Sequence, residues 1–254
     1  MMIGKFMTDR GRVRTHNEDS GGLYYNSEQQ LLAIIADGMG GHRAGDIASQ
    51  MATELIGKKW KETKHFNSPE SVETWLVNVL KESNQAIMKR SQAGNECHGM
   101  GTTVVISVCT EEFVTIAHIG DSRCYLLNEE GFKQITEDHS LVNELVRSGQ
   151  ISEDDAEHHP RKNVLLKALG TEPKAEADIK SLGWEINNML LLCSDGLTNK
   201  VVDEELANYI KQDENIENIG ENLIQLANER GGEDNVSLII INYDSSNKVG
   251  EKPC

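Results

Sequence analysis

Short apolar runs that stop at a polar turn alternate along this chain with longer stretches of helical periodicity. Residues 33–36 form one such run, which predicts a buried strand and ends at Asp37 in a cluster of glycines. The run 189–193 repeats this construction before Asp195, and Asp121 follows a third run. A tight strand-to-helix turn alone would explain the first case, because Asp-Gly is a common turn dipeptide. The repetition favours a different interpretation, in which three strand ends present carboxylates to one metal site.

Helical spacing of apolar residues predicts helices over 44–61, 203–211 and 216–230. Another helix begins after Ser68 with a first-turn proline and runs to about residue 90. Residues 3–8 predict an opening edge strand, and a strong final strand begins at residue 236. Short β-branched runs predict an antiparallel meander over 103–109, 113–117 and 124–127, followed by a hairpin turn at 128–131.

Residues 136–170 contain little apolar surface beyond one short amphipathic helix near 139–146. A segment that buries so little surface predicts a mobile flap. His158 and His159 lie in this flap beside acidic residues. We interpret them as surface histidines, with metal binding as the alternative.

Helices and β segments alternate without a linker or a repeat, which predicts a single layered domain over residues 1–244. Residues 245–254 are polar and predict a frayed tail. No apolar run approaches the roughly 20 residues that span a bilayer. The first residues also lack the pattern of a secretory signal, so we expect no membrane insertion.

The cysteines and the net charge narrow the possible partners. Five cysteines form no Cys-x-x-Cys pair, and Cys109, Cys124 and Cys193 lie in apolar runs, which indicates buried thiols in a reducing cytoplasm. The formal net charge of −16 repels phosphate backbones and argues against nucleic-acid binding. The same acidity suits divalent cations.

The polar segment 9–19 carries three arginines and two acids that suit phosphate and metal chemistry. Arginine binds phosphate because its planar donors engage two oxygens at once. Composition and spacing alone do not choose among Arg10, Arg12 and Arg14. Glu18 and Asp19 follow as candidate metal-facing carboxylates, and an exposed polar loop is the alternative interpretation of the whole segment.

Four aspartates far apart in the sequence each stand at a junction between an apolar run and a polar or glycine-rich turn: Asp19, Asp37, Asp195 and Asp234. So many anions in one cleft would repel each other without cations. Hard oxygen ligands select Mg²⁺ or Mn²⁺ over zinc. Two such ions about 3.5–4 Å apart can activate a water molecule for in-line attack on phosphorus.

Six segments in order resemble the motifs of the PP2C-type (PPM) metal-dependent serine/threonine phosphatases, in their bacterial form. Each motif is weak alone, whereas six in order are specific, and the resemblance covers residues 3–243. The segments are RTHNED at 14–19, ADGMGGH at 36–42, GTT at 101–103, IGDSR at 119–123, CSDGL at 193–197 and EDNV at 233–236.

The resemblance implies an α+β fold with four αββα layers, in which two antiparallel β-sheets form a sandwich flanked by helix pairs. It also implies a metal site at one end of the sandwich, with Asp37 bridging two ions. Asp195 and Asp234 would complete the ligand set of one ion, and the Gly38 carbonyl with Glu18 or Asp19 would bind the other. The remaining implied roles are Asp121 with Asp195 for a weaker third ion, Arg14 for phosphate, and Asn235 as a hydrogen bonder that orients the neighbouring ligands.

The sequence departs from many eukaryotic members at one position. Those members carry a histidine directly after the Asp-Gly pair, proposed as the general acid for the leaving oxygen, whereas Met39 stands there in this chain. His42 follows the bacterial pattern and is our candidate for that role. A cap on the following helix is the alternative role for His42, and a metal-bound water is the rival proton donor.

The resemblance therefore predicts a cytoplasmic, monomeric phosphatase that uses Mn²⁺ or Mg²⁺ to hydrolyse phosphoserine and phosphothreonine by direct attack of a metal-bridging water or hydroxide. Its expected partners are phosphorylated proteins, including a cognate serine/threonine kinase. Two alternatives remain: a non-catalytic pseudophosphatase that docks onto a kinase, and a metal-dependent phosphodiesterase or nuclease. All the metal ligands of the family pattern are present, and the acidic composition disfavours a polyanionic substrate.

Overall fold

A computed structural model describes residues 2–40, 44–93 and 97–244 of the chain. Its strands, in chain order, are β1 Met2–Asp9, β2 Asp19–Tyr25, β3 Leu31–Met39, β4 Gly101–Thr102, β5 Val104–Cys109, β6 Phe113–Ile119, β7 Arg123–Asn128, β8 Gly131–Gln134, β9 Asp178–Gly183, β10 Met189–Cys193 and β11 Val236–Tyr243. Its helices are α1 Ala44–Lys61, α2 Pro69–Gln92, α3 Leu141–Arg147, α4 Glu153–Glu157, α5 Asp195–Thr198, α6 Asp203–Ile210 and α7 Ile216–Glu229.

Two antiparallel sheets form the centre of the described molecule. The first sheet has the strand order β1-β11-β10-β7-β8, and the second has β2-β3-β5-β6-β9, with β4 pairing to β3. Helices α1 and α2 pack on the outer face of the second sheet, and α6 and α7 pack on the outer face of the first. The predicted α+β sandwich of four αββα layers is therefore confirmed.

Both faces of the central strands are buried, which explains why their sequences are continuous apolar runs rather than alternating ones. In β3, Leu32 and Ile34 face the helices, while Leu31, Ala33 and Ile35 face the other sheet. The strands β10 and β11 divide their residues between the sheet interface and the α6–α7 layer in the same way. The apolar core thus has three layers.

The structure corrects the predicted meander. β5 and β6 pair as antiparallel neighbours, but β7 belongs to the other sheet and pairs with β10 and β8. The chain changes sheet at Gly120, whose φ of 109° is in the left-handed region that favours glycine. Strands β2 and β9 were not predicted, because their glycine-containing or half-exposed sequences lack a clear apolar run.

The other predicted elements are confirmed. β1 lies at an edge of its sheet, and the turn between β7 and β8 pairs Asn128 with Gly131. Residues 136–170 contain α3 and α4 and no long strand; their predicted mobility stays a prediction. The predicted tail at 245–254 lies outside the described residues. Among the described residues, no helix has both the length and the apolar character needed to cross a bilayer.

Candidate metal centre

Asp37 lies near the end of β3. Because side chains alternate along a strand, Asp37 is on the same face as Ala33 and Ile35, which pack against the opposite sheet. Its backbone is fixed on both sides: its N–H donates to Thr103 Oγ1 at 3.0 Å, and its carbonyl oxygen accepts from Thr103 N at 2.8 Å and from Thr102 Oγ1 at 2.9 Å. The predicted Gly-Thr-Thr motif therefore holds the end of the strand that carries Asp37. Thr103 Oγ1 also forms a 2.7 Å hydrogen bond with Ser122 Oγ, and Ser122 follows Asp121 in the chain.

Asp19 stands opposite Asp37 in the β2–β3 register. Its carboxylate is buried, and its Oδ2 accepts a hydrogen bond from Ser194 Oγ at 2.8 Å. The same hydroxyl oxygen accepts from Ser237 N at 3.0 Å. Ser194 lies between the end of β10 and Asp195, the first residue of α5. These bonds therefore join Asp19 of one sheet to the segment that follows β10 of the other sheet.

Arg14 lies across the mouth of this group. Its Nη2 donates to Asp234 Oδ2 at 2.8 Å, its Nε donates to the Glu233 carbonyl oxygen at 3.2 Å, and its Nη1 lies 3.9 Å from Glu18 Oε2. The guanidinium of Arg10 instead donates to the carbonyl oxygen of Thr15 at 3.5 Å. Of the three arginines left open by the sequence, Arg14 is the one that the structure pairs with these carboxylates.

Asn235 connects the segment around Arg14 to β11. Its Oδ1 accepts from the backbone N–H of Glu18 at 2.8 Å, and its Nδ2 donates to the carbonyl oxygens of Arg10 at 2.8 Å and His16 at 3.0 Å. The side chain therefore orients the backbone on both sides of Arg14.

The structure brings together six predicted acids, which we call the carboxylate cluster: Glu18, Asp19, Asp37, Asp121, Asp195 and Asp234. Burial and, to a smaller extent, the charges of neighbouring aspartates raise the pKa of Asp19 to about 7, of Asp121 to about 8 and of Asp195 to about 6. Burial and the charges of Asp19, Asp195, Asp121 and Asp234 also raise the pKa of Asp37 well above its usual range. The cluster has few compensating positive charges. Among the described residues, Arg14 is the cation that forms ion pairs with Asp234 and Glu18.

These residues fit divalent metal ions. Asp19 Oδ1 and Asp195 Oδ1 are buried and have no hydrogen-bond partner among the described residues, although buried carboxylate oxygens normally have one. A Cβ at Gly38 would lie 2.0 Å from the Gly45 carbonyl oxygen, and a Cβ at Gly45 would lie 2.8 Å from the Gly38 carbonyl oxygen and 2.9 Å from Glu18 Oε1. Two glycines thus keep space clear between the Gly38 carbonyl and the Glu18 carboxylate.

Sequence reasoning missed two residues of this region, Asp46 and Gly45. Asp46 lies in the first turn of α1, its buried Oδ1 has no hydrogen-bond partner among the described residues, and its charge contributes to the raised pKa of Glu18. An acid in a first helical turn is common and gave no signal of its own. The predicted general acid His42 lies outside the described residues, and His158 is exposed with its Nδ1 3.0 Å from the Asp154 carbonyl oxygen.

A groove of about 760 Å³ opens beside Asp121 and Asp195. Segment 136–170 forms one wall, and the start of α6 contributes to the other. Basic side chains from three segments line it: Arg123, Lys162 and Lys200. The groove leads to Asp121 and Asp195 of the carboxylate cluster.

Comparison with known proteins gives one family. Residues 8–235 match the family model described as Protein phosphatase 2C. The chain is 47% identical over 247 residues to "Serine/threonine phosphatase stp" of Listeria monocytogenes serotype 4b (strain F2365), an alignment that covers 97% of this chain and 98% of that protein.

Two solved structures have the same architecture. Serine/threonine phosphatase Stp1 from Staphylococcus aureus superposes with a TM-score of 0.91 at 38% identity, covering 96% of each chain. The catalytic domain of the serine/threonine protein phosphatase PstP, solved in complex with two manganese ions, superposes with a TM-score of 0.84 at 30% identity, covering 96% of this chain and 99% of that one.

Proposed function

This chain belongs to the protein phosphatase 2C family, and we propose that the carboxylate cluster is the centre at which it hydrolyses phosphoserine and phosphothreonine. The chain is a metal-dependent serine/threonine protein phosphatase, so its substrates are phosphorylated proteins. The observation that carries the assignment of the site is the convergence of six acids beside one arginine, two of which, Asp19 and Asp195, have a buried carboxylate oxygen with no described hydrogen-bond partner.

We assign two ions, Mn²⁺ or Mg²⁺, to the cluster, with a weaker third. Asp37 would bridge two of them, Asp195 and Asp234 would complete the first, and the Gly38 carbonyl with Glu18 or Asp19 would complete the second. Asp121 with Asp195 would hold the third. When bound, such ions lower the pKa of a coordinated water and neutralise charge on the phosphoryl group.

Arg14 binds the phosphoryl oxygens in this proposal. Its guanidinium is exposed at the mouth of the cluster and already pairs with a carboxylate oxygen, which has the same planar acceptor geometry as a phosphate edge. Asn235 keeps Arg14 in place through the backbone of Arg10, His16 and Glu18. His42 is the proposed proton donor to the leaving serine or threonine oxygen.

Cys193, two residues before Asp195 in the chain, does not suit a covalent mechanism. Cys193 is buried, and burial raises the pKa of its thiol to about 12, so the nucleophilic thiolate is not formed at neutral pH. This supports direct attack by water without a phosphoenzyme. We further infer that the protein acts as a cytoplasmic monomer and that a cognate serine/threonine kinase is among its substrates.

The test is hydrolysis of a phosphothreonine peptide, para-nitrophenyl phosphate and a bis-para-nitrophenyl diester, each with Mn²⁺ and with EDTA. We expect Mn²⁺-dependent hydrolysis of both monoesters, little diester hydrolysis, and loss of activity in EDTA. Asp37→Ala should lower turnover by about a thousandfold or more, because one side chain serves two ions. Asp154→Ala, an exposed acid of the flap, is the matched control.

The same assay separates the alternatives. A pseudophosphatase would bind Mn²⁺ in calorimetry without hydrolysing any of the three compounds. A phosphodiesterase would prefer the diester. Full activity of Asp37→Ala would remove the proposed site while leaving the family assignment intact.

A further inference from the structure

A second polar network contacts Gly120, the residue that precedes Asp121 of the carboxylate cluster. His118 of β6 stacks on His139, with ring centroids 4.6 Å apart and an interplanar angle of 15°, and both rings are buried. Asp178 stands opposite His118 in the β6–β9 register, and Asp178 Oδ1 lies 3.4 Å from His139 Nε2. Lys167 Nζ lies 3.3 Å from both of these atoms. The proposed reaction uses none of these four side chains.

His139 holds Gly120 from two sides. The backbone N–H of His139 donates to the Gly120 carbonyl oxygen at 2.9 Å, and the Gly120 N–H donates to His139 Nδ1 at 3.2 Å. Gly120 is buried and has a φ of 109°, and a Cβ there would lie 2.6 Å from Thr103 Cγ2. Because Gly120 precedes Asp121, this pair of bonds sets the direction in which the Asp121 carboxylate leaves the strand.

The surroundings of His139 keep its Nδ1 free to accept that bond. Only a neutral imidazole with its proton on Nε2 can accept at Nδ1. Burial, His118 and Lys167 lower the pKa of His139, which favours the neutral ring. Because Nδ1 accepts from the Gly120 N–H, the ring proton lies on Nε2, where it faces Asp178 Oδ1 at 3.4 Å. The Lys167 ammonium can only donate, so next to this tautomer it donates to Asp178 Oδ1 and not to Nε2. Asp178 in turn accepts from Lys167, so its own charge is balanced.

Three of these side chains also have donor atoms within 4.8 Å of one another, which is a spacing that metal ions use. A metal on His139 Nε2 would move the ring proton to Nδ1, directly against the Gly120 N–H. The ammonium group of Lys167 already supplies a positive charge at the same place. The network therefore favours a role in holding Gly120 over a metal site of its own.

We propose that His139 is a positioning residue for Asp121: its Nδ1, with the ring tautomer fixed by Asp178, locks the Gly120 turn that aims Asp121 into the carboxylate cluster. This rests on the proposed function, in which Asp121 holds the weaker ion. The consequence is that His139 controls the affinity for that ion while lying outside the cluster.

The test compares two substitutions that differ in which ring nitrogen they replace. In His139→Asn the side-chain oxygen can occupy the place of Nδ1 and accept from Gly120, whereas in His139→Gln the amide reaches only toward the place of Nε2. We expect His139→Gln to weaken the lowest-affinity Mn²⁺ site about tenfold in calorimetry, as for loss of one buried hydrogen bond, and to speed hydrogen exchange at the Gly120 amide. His139→Asn should stay within about threefold of wild type in both measurements.

His65→Gln, at an exposed histidine before α2, is the matched control and should change neither measurement. Equal effects of His139→Asn and His139→Gln, or an unchanged Mn²⁺ isotherm in His139→Gln, would overturn the proposal. If His139→Gln does not fold, Asp178→Ala replaces it, since this half-exposed residue touches the network through His139 Nε2 and Lys167 Nζ and makes no contact with Gly120 in the proposal. Asp178→Ala should then lower the affinity of the lowest-affinity Mn²⁺ site about threefold, and an unchanged affinity would equally overturn the proposal.

The hydrogen-exchange readout is independent of catalysis. Fast exchange at Gly120 in His139→Gln, combined with no Mn²⁺-dependent hydrolysis by the wild type, would contradict the proposed function. It would still show that His139 protects the Gly120 amide. Active wild type with an unaffected Gly120 amide would contradict the positioning role alone.

Discussion

At the residue scale, the carboxylate cluster is a set of acidic side chains held close enough to repel each other. Asp37 lies among Asp19, Asp121, Asp195 and Asp234, and their repulsion adds to the cost of burial. The protein tolerates this arrangement because Thr103 and Thr102 hold the backbone of Asp37 and because Ser194 donates to the Asp19 carboxylate. The carboxylates therefore keep their geometry whether or not cations are bound.

The proposed role of Arg14 predicts a specific loss of substrate binding. Arg14→Ala should lower kcat/KM for a phosphopeptide about tenfold to a hundredfold, mainly through KM, because charge-assisted hydrogen bonds contribute about 1.5–3 kcal/mol. Arg14→Lys should recover only part of this loss, since an ammonium lacks the planar fork. Steady-state kinetics in saturating Mn²⁺ is the measurement.

Arg10→Ala is the control for charge, because the guanidinium of Arg10 bonds to Thr15 rather than to a carboxylate. A KM increase of equal size in Arg10→Ala would mean that general electrostatic attraction, and not a contact from Arg14, binds the phosphate.

At the element scale, the site depends on the ends of strands and on one helix start. β3 delivers Asp37, β2 delivers Asp19, and α1 brings Gly45 against the Gly38 carbonyl and Glu18. The Gly-Thr-Thr segment ties the end of β3 to the β6–β7 turn through Thr103 and Ser122. Small changes in these junctions should therefore alter the site without altering any ligand.

Thr103→Val tests the first junction. Valine keeps the shape of threonine but leaves the Asp37 N–H without its acceptor, so the free energy of unfolding should fall by about 1–3 kcal/mol. Urea unfolding is the measurement. Thr74→Val, at an exposed position of α2, should change it by less than about 0.5 kcal/mol, and a similar fall in both variants would contradict the role of Thr103.

Gly45→Ala tests the second junction. The added Cβ would press on the Gly38 carbonyl and Glu18 Oε1, so Mn²⁺ affinity should fall at least about tenfold, although alanine in a helix otherwise stabilises by about 0.5–1 kcal/mol. Calorimetric titration and thermal melting measure the two effects separately. Gly183→Ala is the control because its Cβ would meet no atom within 4 Å; unchanged Mn²⁺ binding in Gly45→Ala would show that the space is not needed.

At the scale of the whole molecule, three apolar layers hold two sheets rigidly enough to keep buried anions together. One layer lies between the sheets, and the others lie under α1–α2 and under α6–α7. Asp19 and Asp37 come from one sheet, while Asp195 and Asp234 come from the ends of strands in the other. Separating the sheets would relieve the repulsion, so the cluster opposes folding until cations bind.

This opposition predicts how stability depends on pH. In the folded metal-free protein Asp195, Asp19 and Asp121 have pKa values of about 6, 7 and 8, whereas an unfolded aspartate titrates near 3.9. The folded state binds more protons in this range, so the free energy of unfolding in EDTA should decrease from about pH 4 to about pH 8. Saturating Mn²⁺ should remove the decrease, because metal ligands must be deprotonated.

Urea unfolding in EDTA and in Mn²⁺ at several pH values measures this effect. Asp195→Asn should flatten the EDTA curve, because it removes one of the titrating groups. A metal-free protein that becomes more stable as pH rises over this range would contradict the prediction.

The sequence by itself determined the long elements and the chemistry. Residues 44–61, 68–90 and 236–241 had enough apolar periodicity to predict α1, α2 and β11, because those segments bury the same residues in any compact arrangement. It did not predict β2 or β9, whose residues are held in the strand conformation by pairing with β3 and β6. Nor did it assign β7 to the opposite sheet.

The candidate ligands came from local motifs and from the family resemblance, since Asp-Gly junctions are visible along the chain. The resemblance also selected Arg14, which composition and spacing could not separate from Arg10 and Arg12. Only the tertiary structure decided that Arg14 pairs with Asp234, that Gly45 clears the space beside Gly38, and that His139 holds Gly120. The physical reason is that each of these contacts joins separate segments that no local pattern relates, 220 positions apart for Arg14 and Asp234 and 19 for Gly120 and His139. Only the packing of those segments brings them together.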